Sequence, residues 1–232
     1  MKKLMFVAAV AAGMGAFALE SANVVGFSNA AMENGFRLYT PMFQAVDGDT
    51  YDIQELIPEN ADSYQSGEIT IQTLDALGNQ GSVFLSWWGD GWYDTNDETP
   101  SIPLKKGEAI WISSPNESVT LRCCGEVFSG NVLSDTAAGF VAIGNPFPVP
   151  YNLQNLVPLT AEGDAAPYVS GEIYLQTLDT LGNQGSVFLS WWGDAWYDTA
   201  DETPAINLQP GEAIWLSSPN ATLKIKWQGF SL

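Results

Sequence analysis

The chain has 232 residues, a formal net charge of -19, no histidine and two cysteines. Its length accommodates one large or two small domains, and 46% hydrophobic with 15% charged residues is the composition of a folded protein. Without histidine there is no Ser-His-Asp triad, no Cys-His dyad and no imidazole metal ligand. A pI near 4.1 argues against nucleic acid, whose phosphates need clustered Lys and Arg.

Residues 1–18 read as a secretory signal peptide. Lys2 and Lys3 form a positive flank, Leu4 to Ala16 is a run of small apolar residues, and Ala16-Phe17-Ala18 fits a cleavage site near Ala18. The run is short for a membrane span and no later segment approaches one, so membrane insertion is not expected. Cleavage removes two lysines and no acid, leaving a net charge of -21 from Leu19 onward. The expected location is outside the cell or on its surface.

The rest of the chain is a tandem duplication. Gly67 to Pro115 matches Gly171 to Pro219 at a constant offset of 104, with 39 of 49 positions identical. Weaker pairing extends outward, and Ile57-Pro58 aligns with Val157-Pro158 only at an offset of 100. The units are expected over 19–125 and 126–232, each long enough for its own core and with no Pro/Ser/Gly-rich linker between them.

Each repeat has a β pattern. Tyr51 to Leu56 and Tyr151 to Leu156 are the only helical candidates, both short and each ended by a proline. Leu77 to Gly81 carries hairpin-turn chemistry. In the strand that follows, Val83, Leu85 and Trp87 alternate with Phe84, Ser86 and Trp88, a period of two. Ile110 and Ile112 alternate in the same way, and Ser118 to Arg122 is echoed by Thr222 to Lys226. Six or seven strands per repeat imply two β-sandwich or barrel-like units.

Cys123 and Cys124 are adjacent, and neighbouring Cα atoms stand about 3.8 Å apart, below the range a relaxed disulfide needs. A strand with one thiol in and one out, an intermolecular disulfide through the outward thiol, and a strained vicinal bond all fit this sequence.

Two constellations carry candidate chemistry. Trp87 to Asp94 recurs as Trp191 to Asp198. An outward Trp beside a carboxylate can stack on a pyranose while the Asp accepts hydroxyl hydrogen bonds. Trp88, Asp90 and Trp92, with Trp192, Asp194 and Trp196, are the candidate ligand-binding residues. The alternative is that these indoles are buried. The acidic loop Asp94, Asn96, Asp97, Glu98 recurs as Asp198, Asp201, Glu202 with Ala200 in place of Asn96. Clustered oxygens suit calcium, but the spacing is not that of an EF-hand and Ala200 removes one ligand, so the residues favour a solvated acidic turn. Glu68, Asp90 and Glu108 supply carboxylates, but their spacing singles out no catalytic pair.

The segments Asn23-Val24-Val25-Gly26-Phe27, Gly144-Asn145-Pro146-Phe147, Gln209-Pro210-Gly211-Glu212-Ala213-Ile214-Trp215 and Gly125-Glu126-Val127 together resemble a group of uncharacterised exported bacterial β-repeat proteins. That group carries NxVGY, GWNLIxNPF, LxPGEAFWI and GEV segments in the same order. The first repeat departs from the pattern, with Thr40-Pro41-Met42-Phe43 at the Asn-Pro turn. The resemblance implies a β fold and export, and implies no activity.

The expectation is an all-β, non-enzymatic, exported protein of two homologous units, acting as a structural or adhesive subunit. Self-association is one expected mode, head-to-tail in its simplest form, because a tandem repeat can continue into the next chain. The alternative is a polysaccharide-binding module with one Trp/Asp site per repeat.

Overall fold

This computed structural model describes residues 25–32, 35–45, 48, 50–59, 69–74, 80–114, 118–167, 172–178, 184–218 and 222–231. The leader and its cleavage site lie outside the described residues, as do Glu68 and most of the Leu77–Gly81 turn. Both units are all-β and share one topology. The first contains β1 (Val25–Met32), β2 (Gly35–Tyr39), β3 (Thr50–Asp52), β4 (Ile57–Pro58), β5 (Thr70–Leu74), β6 (Gln80–Trp87), β7 (Trp92–Tyr93), β8 (Pro103–Lys105), β9 (Ile110–Ser114) and β10 (Val119–Glu126). The second contains β11 (Val132–Thr136), β12 (Gly139–Gly144), β13 (Tyr151–Asn152), β14 (Leu156–Leu159), β15 (Tyr174–Leu178), β16 (Gln184–Trp191), β17 (Trp196–Tyr197), β18 (Asn207–Leu208), β19 (Ala213–Ser218) and β20 (Leu223–Trp227).

In each unit a five-stranded antiparallel sheet, β2-β9-β5-β6-β7 or β12-β19-β15-β16-β17, accompanies a three-stranded sheet and a two-stranded ribbon. The strand count exceeds the six or seven expected because β3, β4, β7 and β8 are only two or three residues long. Pairings that short have no periodicity of their own and are set by the neighbours they meet. The two helical candidates form one 3-10 turn each, Ile53–Glu55 and Leu153–Asn155, flanked by strand. The Asp52 and Asn152 side chains accept the N–H of Gln54 and Gln154 at 2.9 Å, capping these turns before Pro58 and Pro158. Among the described residues no helix is long and apolar enough to cross a membrane.

Each unit has its own core. Inward residues of the alternating strands, Ile71, Leu85, Ile110 and Ile112, close the first, and Leu175, Leu189, Ile214 and Leu216 the second. On β10 the alternation buries Cys123 and exposes Cys124, both as free thiols. Burial pushes the Cys123 thiol up, against hydrogen bonds from the Tyr51 and Tyr39 hydroxyls that lower it.

A third, small cluster joins the units, built on Ala109, Ala142 and Trp215 with Leu38 and Trp111 packed against it. Its contacts come in exchanged pairs at the repeat offset of 104. Tyr39 bridges Glu212 while Glu108 bridges Ile143. The Thr40 N–H donates to Gly211 O at 3.1 Å, and the Gly144 N–H donates to Gly107 O at 3.0 Å. Trp111 meets its own counterpart Trp215 with ring centroids 6.5 Å apart. Reciprocal contacts of this kind define an isologous, pseudo-two-fold interface, which closes on two units. Head-to-tail growth of chains would therefore need a different surface.

The departure at the Asn-Pro turn is explained at this seam. In the second unit the Asn145 N–H donates to Glu212 O at 3.0 Å. Its buried amide donates to Val149 O and Leu208 O and accepts the Phe147 N–H. Pro41 occupies the equivalent place in the first unit and has no N–H to give. There the Thr40 hydroxyl donates to Glu108 O at 3.0 Å instead.

Candidate functional site

The Trp-rich segments leave the ends of β6 and β16 and turn back at once. Trp88 N–H donates to Gly91 O at 3.0 Å and Trp192 N–H to Ala195 O at 3.1 Å. Gly89 and Gly193 take φ of 93° and 92° in these turns, a conformation glycine adopts without strain. Strand alternation sends Trp87 and Trp191 into the cores. Their neighbours face out, with Trp192 41% exposed and Trp88 half-buried.

Trp92 and Trp196, expected among the ligand-contacting residues, are fully buried. Their indole N–H groups donate to Leu56 O at 2.6 Å and Leu156 O at 2.7 Å. The Gln54 amide clamps the Trp92 backbone, accepting its N–H at 3.0 Å and donating to its carbonyl at 2.8 Å. Gln154 repeats this on Trp196. Burying a large side chain contributes about 1.5–3 kcal/mol, and a buried indole needs an acceptor, so these residues anchor the core and offer a ligand no surface.

What stands outside is an aromatic pair per unit. Trp88 lies over Tyr93 with centroids 5.0 Å apart, and Trp192 over Tyr197 at 4.7 Å, both tilted by 31°. Asp90 and Asp194 are exposed in the adjoining turns. The Asp90 carboxylate holds the Tyr93 hydroxyl above its ordinary range by repulsion of the phenolate, with a smaller contribution from their hydrogen bond. The tyrosines sit at one end of the outward face of the five-stranded sheet. In the second unit, register carries this row from Tyr197 through Ser190, Tyr174 and Ser217 to Phe140. Tyr174 stands 5.2 Å from Phe188 and 6.1 Å from Phe140.

Tyr93, Tyr197, Tyr174 and Phe188 are site residues that sequence reading missed. The signal was present in the alternation that places Phe84 opposite Leu85. Which strands lie side by side, and so which outward rings become neighbours, is a matter of register.

The acidic loops are organised as turns. Asp94 accepts the N–H groups of Asn96 at 2.8 Å and Glu98 at 3.0 Å, and the Asn96 amide adds a third bond. These bonds, that from Glu98 foremost, hold its carboxyl below the usual carboxylate range. Asp198 accepts Ala200 N–H and Glu202 N–H in the same way, so the exchange of Asn96 for Ala200 leaves the turn intact. Asp97 and Asp201 adopt φ of 61° and 62° to close it. Asn96, Asp97, Glu98, Asp201 and Glu202 are exposed. Each loop is thus a self-capped turn, and among the described residues no three acidic or cysteine side chains converge to hold a metal ion.

Two hollows flank the seam, of about 460 and 550 Å³, and the pseudo-two-fold exchanges their walls. Arg37, Tyr39, Gly211 and Glu212 line one, where Val141, Ile143, Gly107 and Glu108 line the other. The two glutamates are committed to their own turns, accepting Gln209 N–H at 2.8 Å and Lys105 N–H at 3.0 Å. No family model, curated protein or solved structure matches the chain.

Proposed function

We propose that the protein is a non-enzymatic, exported adhesive subunit, acting at the cell surface or outside the cell, and that it holds polysaccharide through one Trp/Tyr face per unit. The observation that carries this reading is the outward Trp192 stacked on Tyr197 beside Asp194, repeated as Trp88 on Tyr93 beside Asp90. Such a ring can pack on the apolar face of a pyranose, and the carboxylate accepts a hydroxyl. Two sites on one chain combine by avidity on a repetitive ligand. The leader-like residues 1–18 and the resemblance to exported β-repeat proteins support the address, and the absence of histidine removes imidazole-based catalysis.

The test is a pull-down of the chain from Leu19 onward on insoluble polysaccharides, mucin and cell-wall material, beside Trp88→Ala/Trp192→Ala. Binding by the parent that is lost in a variant with an unchanged melting temperature supports the reading. Equal retention of both on every matrix, or of neither, refutes it.

A second reading, a structural subunit that self-associates, is favoured by β1. It is an edge strand of its sheet and exposes Val25 and Phe27 by 64% and 60%. Open edges with outward apolar residues invite strand addition from a second chain. Concentration-dependent growth in size that Phe27→Lys abolishes would establish it.

A further inference from the structure

Among the described residues the outward rows of both five-stranded sheets carry no charged side chain, on a chain with 27 acids. One row of the second unit sets the Tyr197, Tyr174 and Phe140 rings about the Ser190 hydroxyl, with Ser217 itself buried, as its counterpart Ser113 is in the first unit. The next sets the Gln176 amide beside Phe188, with Trp215 on its other side buried in the seam between the units. The first unit repeats this with Tyr93, Ser86, Thr70, Ser113 and Phe36, then Phe84, Gln72 and Trp111. Among the described residues, carboxylates stand toward the ends of the second face, at Glu172 two residues before β15 and at Asp194 after β16.

We infer that the ligand of this face is an uncharged polysaccharide, held along the sheet by several rings; the inference rests on the polysaccharide reading above. A polyanion would find no cation in the rows and would meet the repulsion of a chain at -21. A polycation would find no carboxylate in the rows to pair with. A second copy laid face to face would show instead as a dimer in solution. The hydroxyls of a neutral glycan supply both donors and acceptors to the Tyr197, Tyr174 and Ser190 hydroxyls and the Gln176 amide while its ring faces stack on the aromatics.

The second unit is the stronger binder. Tyr174 links the Phe140 and Phe188 rings into one platform, whereas Thr70 breaks the equivalent platform between Phe36 and Phe84. Trp192 is also more exposed than Trp88.

The experiment is retention of the chain from Leu19 onward by neutral glucans, mannan and chitin against polygalacturonate and alginate, in about 50 mM and about 500 mM NaCl. Tyr174→Thr and Thr70→Tyr are measured beside it. Each variant installs the residue its partner unit already carries, and melting temperatures check the fold. The expected result is retention by a neutral polysaccharide that salt does not weaken, about 2–10-fold weaker in Tyr174→Thr and stronger in Thr70→Tyr. Retention confined to the anionic matrices, or lost in high salt, overturns the inference and leaves the polysaccharide reading standing. Retention by none overturns both. A dimer abolished by Tyr174→Thr overturns the inference in favour of a second copy on this face.

Discussion

The side chain of Thr40 lies over the Cα of Gly144, its own counterpart in the second unit, so that the seam joins a residue with a side chain to one without. The Thr40 hydroxyl also replaces the hydrogen bond that Pro41 cannot make, through Glu108 O. One position of the duplicated unit has thus diverged into a complementary pair: a threonine at both would collide, and a glycine at both would leave Glu108 O without this donor.

Gly144→Ala places a methyl group in the space Thr40 occupies. It should destabilise the protein by about 1–3 kcal/mol, the range for overpacking. Thr40→Gly/Gly144→Ala should cost clearly less than the sum of the two single changes, read by urea denaturation. Additive costs would show that the two residues do not share this space.

Trp196→Phe keeps a ring in the second core and leaves Leu156 O without its 2.7 Å donor. The expected loss is about 1–3 kcal/mol from the unpaired carbonyl, with a further cost for the smaller ring. Polysaccharide retention of the folded variant should be unchanged, because Trp196 is buried. A selective loss of retention would place Trp196 in the site after all.

Alkaline pH should unfold the protein. Burial raises Tyr151 to about 12, against a lowering hydrogen bond from Gln228 N–H, and raises Tyr39 and Tyr51 as well. A raised folded pKa gives stability that is fully present below the unfolded value of about 10 and lost as pH rises toward the folded one. For Tyr151 the window is therefore from about 10 to about 12. The first unit groups Tyr39 and Tyr51 with the Cys123 thiol, where the second has Ile143, Tyr151 and Trp227, so the first should open earlier. Stability that stays level from pH about 9 to about 12 would contradict this.

Thiol labelling should distinguish the adjacent cysteines. Cys124 is exposed and should react at once in the native protein, and Cys123 only on unfolding. Two equivalents reacting together without denaturant would mean that β10 opens in the native state.

Calcium at millimolar concentration should leave the melting temperature unchanged, since Asp94 and Asp198 are turned onto their own backbone N–H groups. A rise of several degrees, as ligation to the folded state produces, would restore the calcium reading.

The sequence by itself determined the all-β class, the two-unit plan and that Trp87 and Trp88 take opposite faces of their strand, because repeat identity and a period of two are local properties of the chain. Which indole of each pair faces solvent it left open, since alternation fixes only that neighbours take opposite faces. Tertiary structure alone decided that Trp92 and Trp196 go inside: they lie in two-residue strands, and what orients them is the Gln54 and Gln154 clamps, 38 and 42 residues away in sequence. It likewise decided that Tyr174 stands beside Phe188 and that the units meet through an isologous seam. Each of these depends on which distant segments share a register or a face, a choice made by the packing free energy of the whole unit and written in no local pattern.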